Sequence, residues 1–277
     1  MVVNMEIHEI LKNAFIFPSK NLETLSIYAI LSLLSGAFAF QGIVTFIFGI
    51  IDVGNFIIGA VYIAISIILG LITRRMSIQC VKSGIDLEEK MPDFNWLESF
   101  GTGFSKVIIT IFYFIVPALI VVFLGLITNI YGNIIYFCQE LVSKAPNILM
   151  GTVTTSDAIY QSAFPLLISL AITISLGLII FLIFSFFQAM GEARLAHTGS
   201  LKSALNIYKS AKDISRIGVG KVILLSVLIF VIFTIIESVL TVVFDHLLIL
   251  SILTIIITPY FALFAQRALG LLYSDIV

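Results

Sequence analysis

Charge is scarce in this chain. Asp, Glu, Lys and Arg make up 11% of its 277 residues, against about 25% in a soluble domain. That excludes a water-facing globule, because there is too little polar surface to cover one, and lipid is expected to be the main solvent. Cysteine is nearly absent, and Cys80 and Cys138 fall on opposite sides of the topology derived below. A disulfide framework or a cysteine metal site is therefore not expected. The histidines are equally dispersed: His246 is predicted across the membrane from His8 and His197, so a metal site has little support. The catalytic signatures GxSxG and HExxH are missing. Gly218-Val219-Gly220-Lys221 lacks the upstream glycine and the following Ser or Thr of a phosphate loop. The start, MVVNMEIHEILKNAF, has no basic region leading into an apolar stretch with a small-residue cleavage site, so no cleaved signal is expected.

What the chain has in abundance is apolar sequence: 60% hydrophobic residues and a mean hydropathy of +1.16. About 20 apolar residues carry a helix across about 30 Å of hydrocarbon. Six segments qualify: Leu25–Ile51, Asn55–Thr73, Val107–Thr128, Ser162–Phe187, Val222–Phe244 and Leu247–Ala265. Period-2 alternation of the barrel type is absent, so these are expected to be helices. The part from Gly36 to Ile51 is open to two readings, a straight continuation of the first span or a bend back into the outer leaflet.

The connections divide the charge. Lys12 and Lys20 precede the first span, and Arg74, Arg75, Lys82, Lys90 and Lys106 lie between the second and third. Arg194, Lys202, Lys209, Lys212, Arg216 and Lys221 lie between the fourth and fifth, and Arg267 follows the sixth. The opposite side holds only Lys144, giving fourteen basic residues against one. The positive-inside rule then predicts a protein of the cell membrane with both termini cytoplasmic.

Each odd-numbered span is preceded by an amphipathic stretch on the basic side. Val3, Ile7, Ile10, Leu11, Ala14 and Phe15 share one face before Pro18, opposed by Asn4, Glu9, Lys12 and Asn13. Leu97, Phe100 and Phe104 recur at helical spacing behind Asp93, a suitable N-cap. Leu201, Ala204, Leu205, Tyr208 and Ala211 form a stripe behind Ser200, opposed by Lys202, Asn206, Lys209 and Lys212. A basic residue (Lys20, Lys106, Lys221) then stands at the mouth of each span. The expected fold is an all-α membrane protein: six transmembrane helices in three helix–hairpin repeats, with three cytoplasmic interfacial amphipathic helices. It forms one polytopic domain with repeat-like units of about 1–84, 93–199 and 200–277. Such helices lie along anionic headgroups or pack on a partner or on their own bundle; amphipathicity leaves both open.

Three segments carry a family resemblance: ILKNAFIFPSKN before the first span, EEKMPDFNW before the third, and GEARLAHTGSLKSAL after the fourth. The chain resembles the domain-of-unknown-function family numbered 4013, over essentially its whole length and most strongly from Glu9 to Lys106. The resemblance implies an integral membrane protein of a mainly archaeal group. A more distant similarity is to the membrane domain attached to some glycerophosphodiester phosphodiesterases; the catalytic domain of those enzymes has no counterpart here. No catalytic or binding residues carry over from either.

Few polar residues fall inside the spans. Glu237 lies seven residues before Phe244, about 10 Å from the outer end of its helix, and Gln41 lies within the first span. One reading makes Glu237 a proton or cation site; the other makes it a neutral carboxyl or one reaching the outer interface beside Asp245 and His246. The shallow depth favours the second. Glu192, Arg194 and His197 form a polar cluster at the exit of the fourth span, although residues two apart do not share a helix face. Pro117, Pro165 and Pro259 lie in three spans, where they kink helices or are tolerated by packing. Ala60 with Ala64, and Ser66 with Gly70, suit close helix contact.

The basic connections lack the stacked aromatics of a nucleic-acid module. The partners expected are the bilayer with its anionic headgroups and a membrane protein or second copy. No catalytic residue, metal ligand or cofactor is expected. A non-enzymatic scaffold organising the membrane is the leading expectation, a small-solute or lipid transporter the second, and a lipid enzyme the third for want of convergent polar residues.

Overall fold

In the computed structural model, which describes residues 5–49, 53–93, 99–149, 155–244 and 249–277, every regular element is helical. The helices are α1 (Ile7–Ile16), α2 (Leu22–Phe48), α3 (Val53–Ile85), α4 (Ser99–Ile127), α5 (Ile130–Leu149), α6 (Thr155–Thr198), α7 (Leu201–Ala204), α8 (Ile207–Ile217), α9 (Val219–Phe244) and α10 (Ile249–Tyr273). Short 3-10 turns follow α1 and α10. The expectations for Val3, Asn4, Leu97, Asp245 and His246 concern residues outside the described ones.

Five helices are long and apolar enough to cross a membrane among the described residues: α2, α3, and the apolar parts of α4, α6 and α9. Their most apolar 18-residue stretches are only 11–22% buried within the protein. Side chains such as Phe40, Ile57, Leu119, Leu178 and Phe230 project outward. An apolar surface this continuous is stable only in an apolar solvent. The α2 helix runs unbroken from Leu22 to Phe48, so within the described residues Gly36–Phe48 continues the span as one helix.

The chain forms two compact units, one of Met1–Thr110 with Phe187–Val277, the other of Ile111–Phe186. In the first, α2 and α3 form a hairpin, α10 packs on α3 and α2, and α1 lies on α10. The hairpin closes at glycines. A Cβ on Gly59 would stand 2.6 Å from the Phe46 nitrogen, and one on Gly42 would stand 2.8 Å from the Ile63 side chain. Higher in contact order than any helix turn, Ser35 and Ser66 exchange bonds: Ser35 Oγ donates to the Ser66 carbonyl at 3.0 Å, and Ser66 Oγ to the Ser35 carbonyl at 2.8 Å. Ser66 and Gly70 are buried here, while Ala60 and Ala64 are exposed. The same unit holds a core of Phe17, Leu25, Tyr28, Met76, Cys80, Met91 and Leu263.

The second unit contains a helix, α5, in what hydropathy marks as a connection between spans. The α5 helix starts after a tight turn in which Asn129 has φ +56°, a conformation Asn tolerates better than most residues. Its Asn133 amide donates to the Pro165 carbonyl at 3.2 Å and to Ser169 Oγ at 3.1 Å. Thr128 and Thr173 share a hydroxyl bond of 2.8 Å. Such side-chain bonds between helices are a common device in lipid, where apolar contact alone does not drive association.

The amphipathic stretches differ from one another. The first is α1, separated from its span by the Pro18 turn. The second, from Ser99 onward, runs on into α4 without a break, so Phe100 and Phe104 are exposed residues of the span helix itself. The third is broken into α7 and α8, because Asn206 starts a new helix by accepting from the Lys209 N–H at 3.0 Å. That restart resets the phase. Ser210, Asp213 and Ile217 turn inward, and Tyr208, placed in the predicted stripe, is 77% exposed. An Asn206→Ala exchange is expected to cost ~1 kcal/mol, the usual worth of a cap, read as a lowered midpoint of thermal unfolding in detergent.

Candidate functional site

The polar residues of the first unit gather where α4 begins and where α6, α8 and α10 end. Lys106 Nζ lies 3.0 Å from Glu192 Oε2, with the two side chains 11% and 5% exposed. Glu192 also accepts from Gln188 Nε2 at 3.0 Å, and Gln188 donates to Thr110 Oγ1 at 3.2 Å. One helical step on, Arg194 reaches a different partner. Its Nε and Nη2 donate to the two oxygens of Asp213 at 2.6 and 3.0 Å, and Nη1 donates to Ser203 Oγ at 3.2 Å. Tyr273 completes the carboxylate by donating its hydroxyl to Asp213 Oδ2 at 3.0 Å. The expected separation of Glu192 from Arg194 is thus realised as two ion pairs on two faces of α6.

Two further clusters join the chain ends. Lys221 is paired with Asp275 and donates to the Met5 carbonyl at 2.6 Å, while the Met5 N–H donates to Asp275 Oδ1 at 3.1 Å. Arg267, 1% exposed, donates to Ser83 Oγ at 3.1 Å and to Asn13 Oδ1 at 3.4 Å. Its guanidinium lies 4.2 Å from the centre of the Phe17 ring. Arg keeps its charge at any physiological pH, so the ring face and these two oxygens replace part of its lost hydration. Above it Phe15 packs edge-on against Tyr260, Phe261 and Phe264.

The predicted basic residues therefore separate into two groups. Lys106, Arg267 and Arg75 are buried, and Lys221 is half-buried. Lys12, Lys20, Arg74, Lys82, Lys202, Lys209, Lys212 and Arg216 are exposed. Gln41 is exposed and donates to Thr45 Oγ1 one turn along α2. Glu237 lies half-buried on α9. His197 is exposed at the end of α6. The acids Asp213 and Asp275 and the phenol of Tyr273 are not among the site residues that sequence reasoning singles out. The available hint was that Asp213 is the sole acid among the six basic residues from Arg194 to Lys221.

Open grooves flank this layer, and two of them bear on function. One, of about 530 Å3, is lined by Met5, His8, Glu9, Lys12, Asn13, Ile16 and Lys20. The other, of about 390 Å3 and almost wholly apolar, lies between α9 and α10, against Phe230, Phe233 and Phe261. Among the described residues, no three His, Cys, Asp or Glu converge as a metal-binding group.

A helical protein whose apolar helices are of membrane-spanning length, pinned at one end of a unit by internal ion pairs, has the character of a multi-pass membrane protein. The chain belongs to the domain-of-unknown-function family 4013, described as proteins of unknown function, whose family model matches residues 77–245. The segments EEKMPDFNW and GEARLAHTGSLKSAL fall inside that match and ILKNAFIFPSKN outside it, so the match is centred further along the chain than Glu9–Lys106. No curated protein and no solved structure matches the chain.

Proposed function

We propose that this protein is a non-enzymatic scaffold of the cell membrane. In this reading α2, α3, α4, α6, α9 and α10 make six spans, and both termini and the ion-paired layer are cytoplasmic. The fourteen-to-one distribution of basic residues supports the orientation. Three helix–hairpin units follow from the order α1–α2–α3, α4–α6 and α7/α8–α9–α10, with α5 as an insertion in the second. All three start on the same side, so they would be related by rotation about the membrane normal rather than by the inversion many alternating-access transporters use.

The observation that carries the scaffold reading is where the buried charges go. Lys106–Glu192, Arg194–Asp213 and Lys221–Asp275 join α4 to α6, α6 to α8, and α9 to the turn after α10. Pairs of this kind hold helix ends in register. The transporter reading rests on the apolar groove between α9 and α10, whose size is in the range of small-molecule sites.

Proteoliposome flux with a broad solute panel, run beside crosslinking in native membranes, separates the two. A stoichiometric crosslinked partner or second copy, with no flux above empty liposomes, is the expected result. Saturable flux would overturn the scaffold reading and install the transporter.

A further inference from the structure

We infer that the groove along α1 and the 3-10 turn that follows it is a binding site for a phosphate group, supplied by the headgroup of a phospholipid. The inference rests on the proposed orientation, which sets this groove at the inner leaflet, and it adds a specific ligand to it. The groove has about 530 Å3 of space and two ammonium groups, Lys12 and Lys20. Unlike Lys106 and Lys221, these two are exposed and make no ion pair among the described residues. Asn13 lines the groove between them, and Arg267 holds its side-chain oxygen, which leaves the amide N–H groups as its donors to a ligand. The one carboxylate on the wall, Glu9, already accepts from the Glu6 N–H at the start of α1. Two cationic donors and an amide lining one concavity match the oxygens of a phosphate.

The rim identifies the source. Ile16 lines the groove and is 47% exposed, with Phe15 at 46% and Leu22 at 65% beside it in sequence. Lys20 is two residues from the start of the α2 span. An exposed apolar side chain in a cationic groove at the foot of a span suits a phosphate attached to acyl or isoprenoid chains. A free phosphate would gain nothing from it. The α1 helix is fixed in place to form this wall, since Tyr260 donates its hydroxyl to the Phe15 carbonyl and Arg267 bonds Asn13.

The test uses the full-length protein in neutral detergent. Its thermal unfolding midpoint is followed on titration with phosphatidylglycerol, phosphatidylcholine, uncharged diacylglycerol and inorganic phosphate. Saturable stabilisation by the phospholipids and none by diacylglycerol or millimolar phosphate is expected. Lys12→Gln with Lys20→Gln should weaken the apparent phosphatidylglycerol affinity roughly thirtyfold, with the lipid-free midpoint little changed because both side chains are exposed. A control, Lys209→Gln with Lys212→Gln, should keep the affinity. Equal stabilisation by inorganic phosphate would overturn the lipid source. Full affinity in the Lys12/Lys20 variant, or equal loss in the control, would overturn the site. None of these results bears on flux or crosslinking, so failure here leaves the scaffold reading standing.

Discussion

Replacing Arg194 by Leu should cost this protein ~3–5 kcal/mol of stability, one of the two largest effects of any single exchange proposed for it. Arg194 donates twice to Asp213, whose side chain is 3% exposed. Without the guanidinium, the carboxylate keeps only the Tyr273 hydroxyl as a described donor. It must then take up a proton or draw in water, and either is unfavourable in a buried position. Arg194→Lys should fall between, since an ammonium cannot hold both oxygens with one planar fork. The double exchange Arg194→Leu with Asp213→Leu should recover most of the loss, because a buried ion pair costs more to break than to replace. Unfolding in detergent measures all three. A second readout follows from position: Asp213 fastens α8 to the end of α6, so trypsin should cut faster at Lys209, Lys212 and Arg216 in Arg194→Leu. Unchanged midpoint and unchanged cleavage would show that α8 is held by its apolar face alone.

Gly270→Val should be comparably severe, at ~3 kcal/mol or more. Here the contact is backbone on backbone. A Cβ at Gly270 would stand 2.1 Å from the Val81 carbonyl oxygen and 2.8 Å from the Gly84 Cα, and one at Gly84 would stand 2.8 Å from the Gly270 Cα. A flexible side chain can swing aside, but a helix carbonyl cannot, so α3 and α10 must separate. That separation would also pull Arg267 from Ser83, which it meets one turn away at 3.1 Å. Gly36 provides the contrast: it sits in α2 with nothing within 4 Å of its would-be Cβ. Gly36→Ala should leave the midpoint unchanged or raise it by up to ~1 kcal/mol of helix propensity. If Gly270→Val unfolds at the same temperature as Gly36→Ala, the close α3–α10 crossing does not exist in the bilayer.

Much of the layout was legible in the sequence. Hydrophobic length alone marks the long helices, because lipid forces each apolar segment to satisfy its own backbone. The α1 helix was legible too, since its apolar face is a simple 3.6-residue repeat ended by Pro18. The Tyr208 stripe was not, because a cap at Asn206 is a local hydrogen bond that restarts the phase without changing composition. The α5 helix is not legible from hydropathy, because Asn133, Glu140, Lys144 and Asn147 interrupt its apolar residues. Glu140 and Lys144, 2.8 Å apart one turn along it, are a helical pair rather than loop charges.

The site divides along the same line. The sequence by itself determined that the chain has the hydropathy of a multi-pass membrane protein and that its basic residues cluster in the connections between apolar segments, since both depend on hydropathy and charge read along the chain. It could not assign partners to those charges. Lys106 and Glu192 are 86 positions apart, Lys221 and Asp275 54, and Arg267 and Ser83 184. A charge on a helix end looks the same in sequence whether it faces headgroups or another helix. Only the folded arrangement of helix ends distinguishes them, because burial and a donor–acceptor distance of about 3 Å are properties of the assembled fold. Lys106, Lys221 and Arg267 are thereby withdrawn into the protein, and Lys12 and Lys20 are left open at a groove.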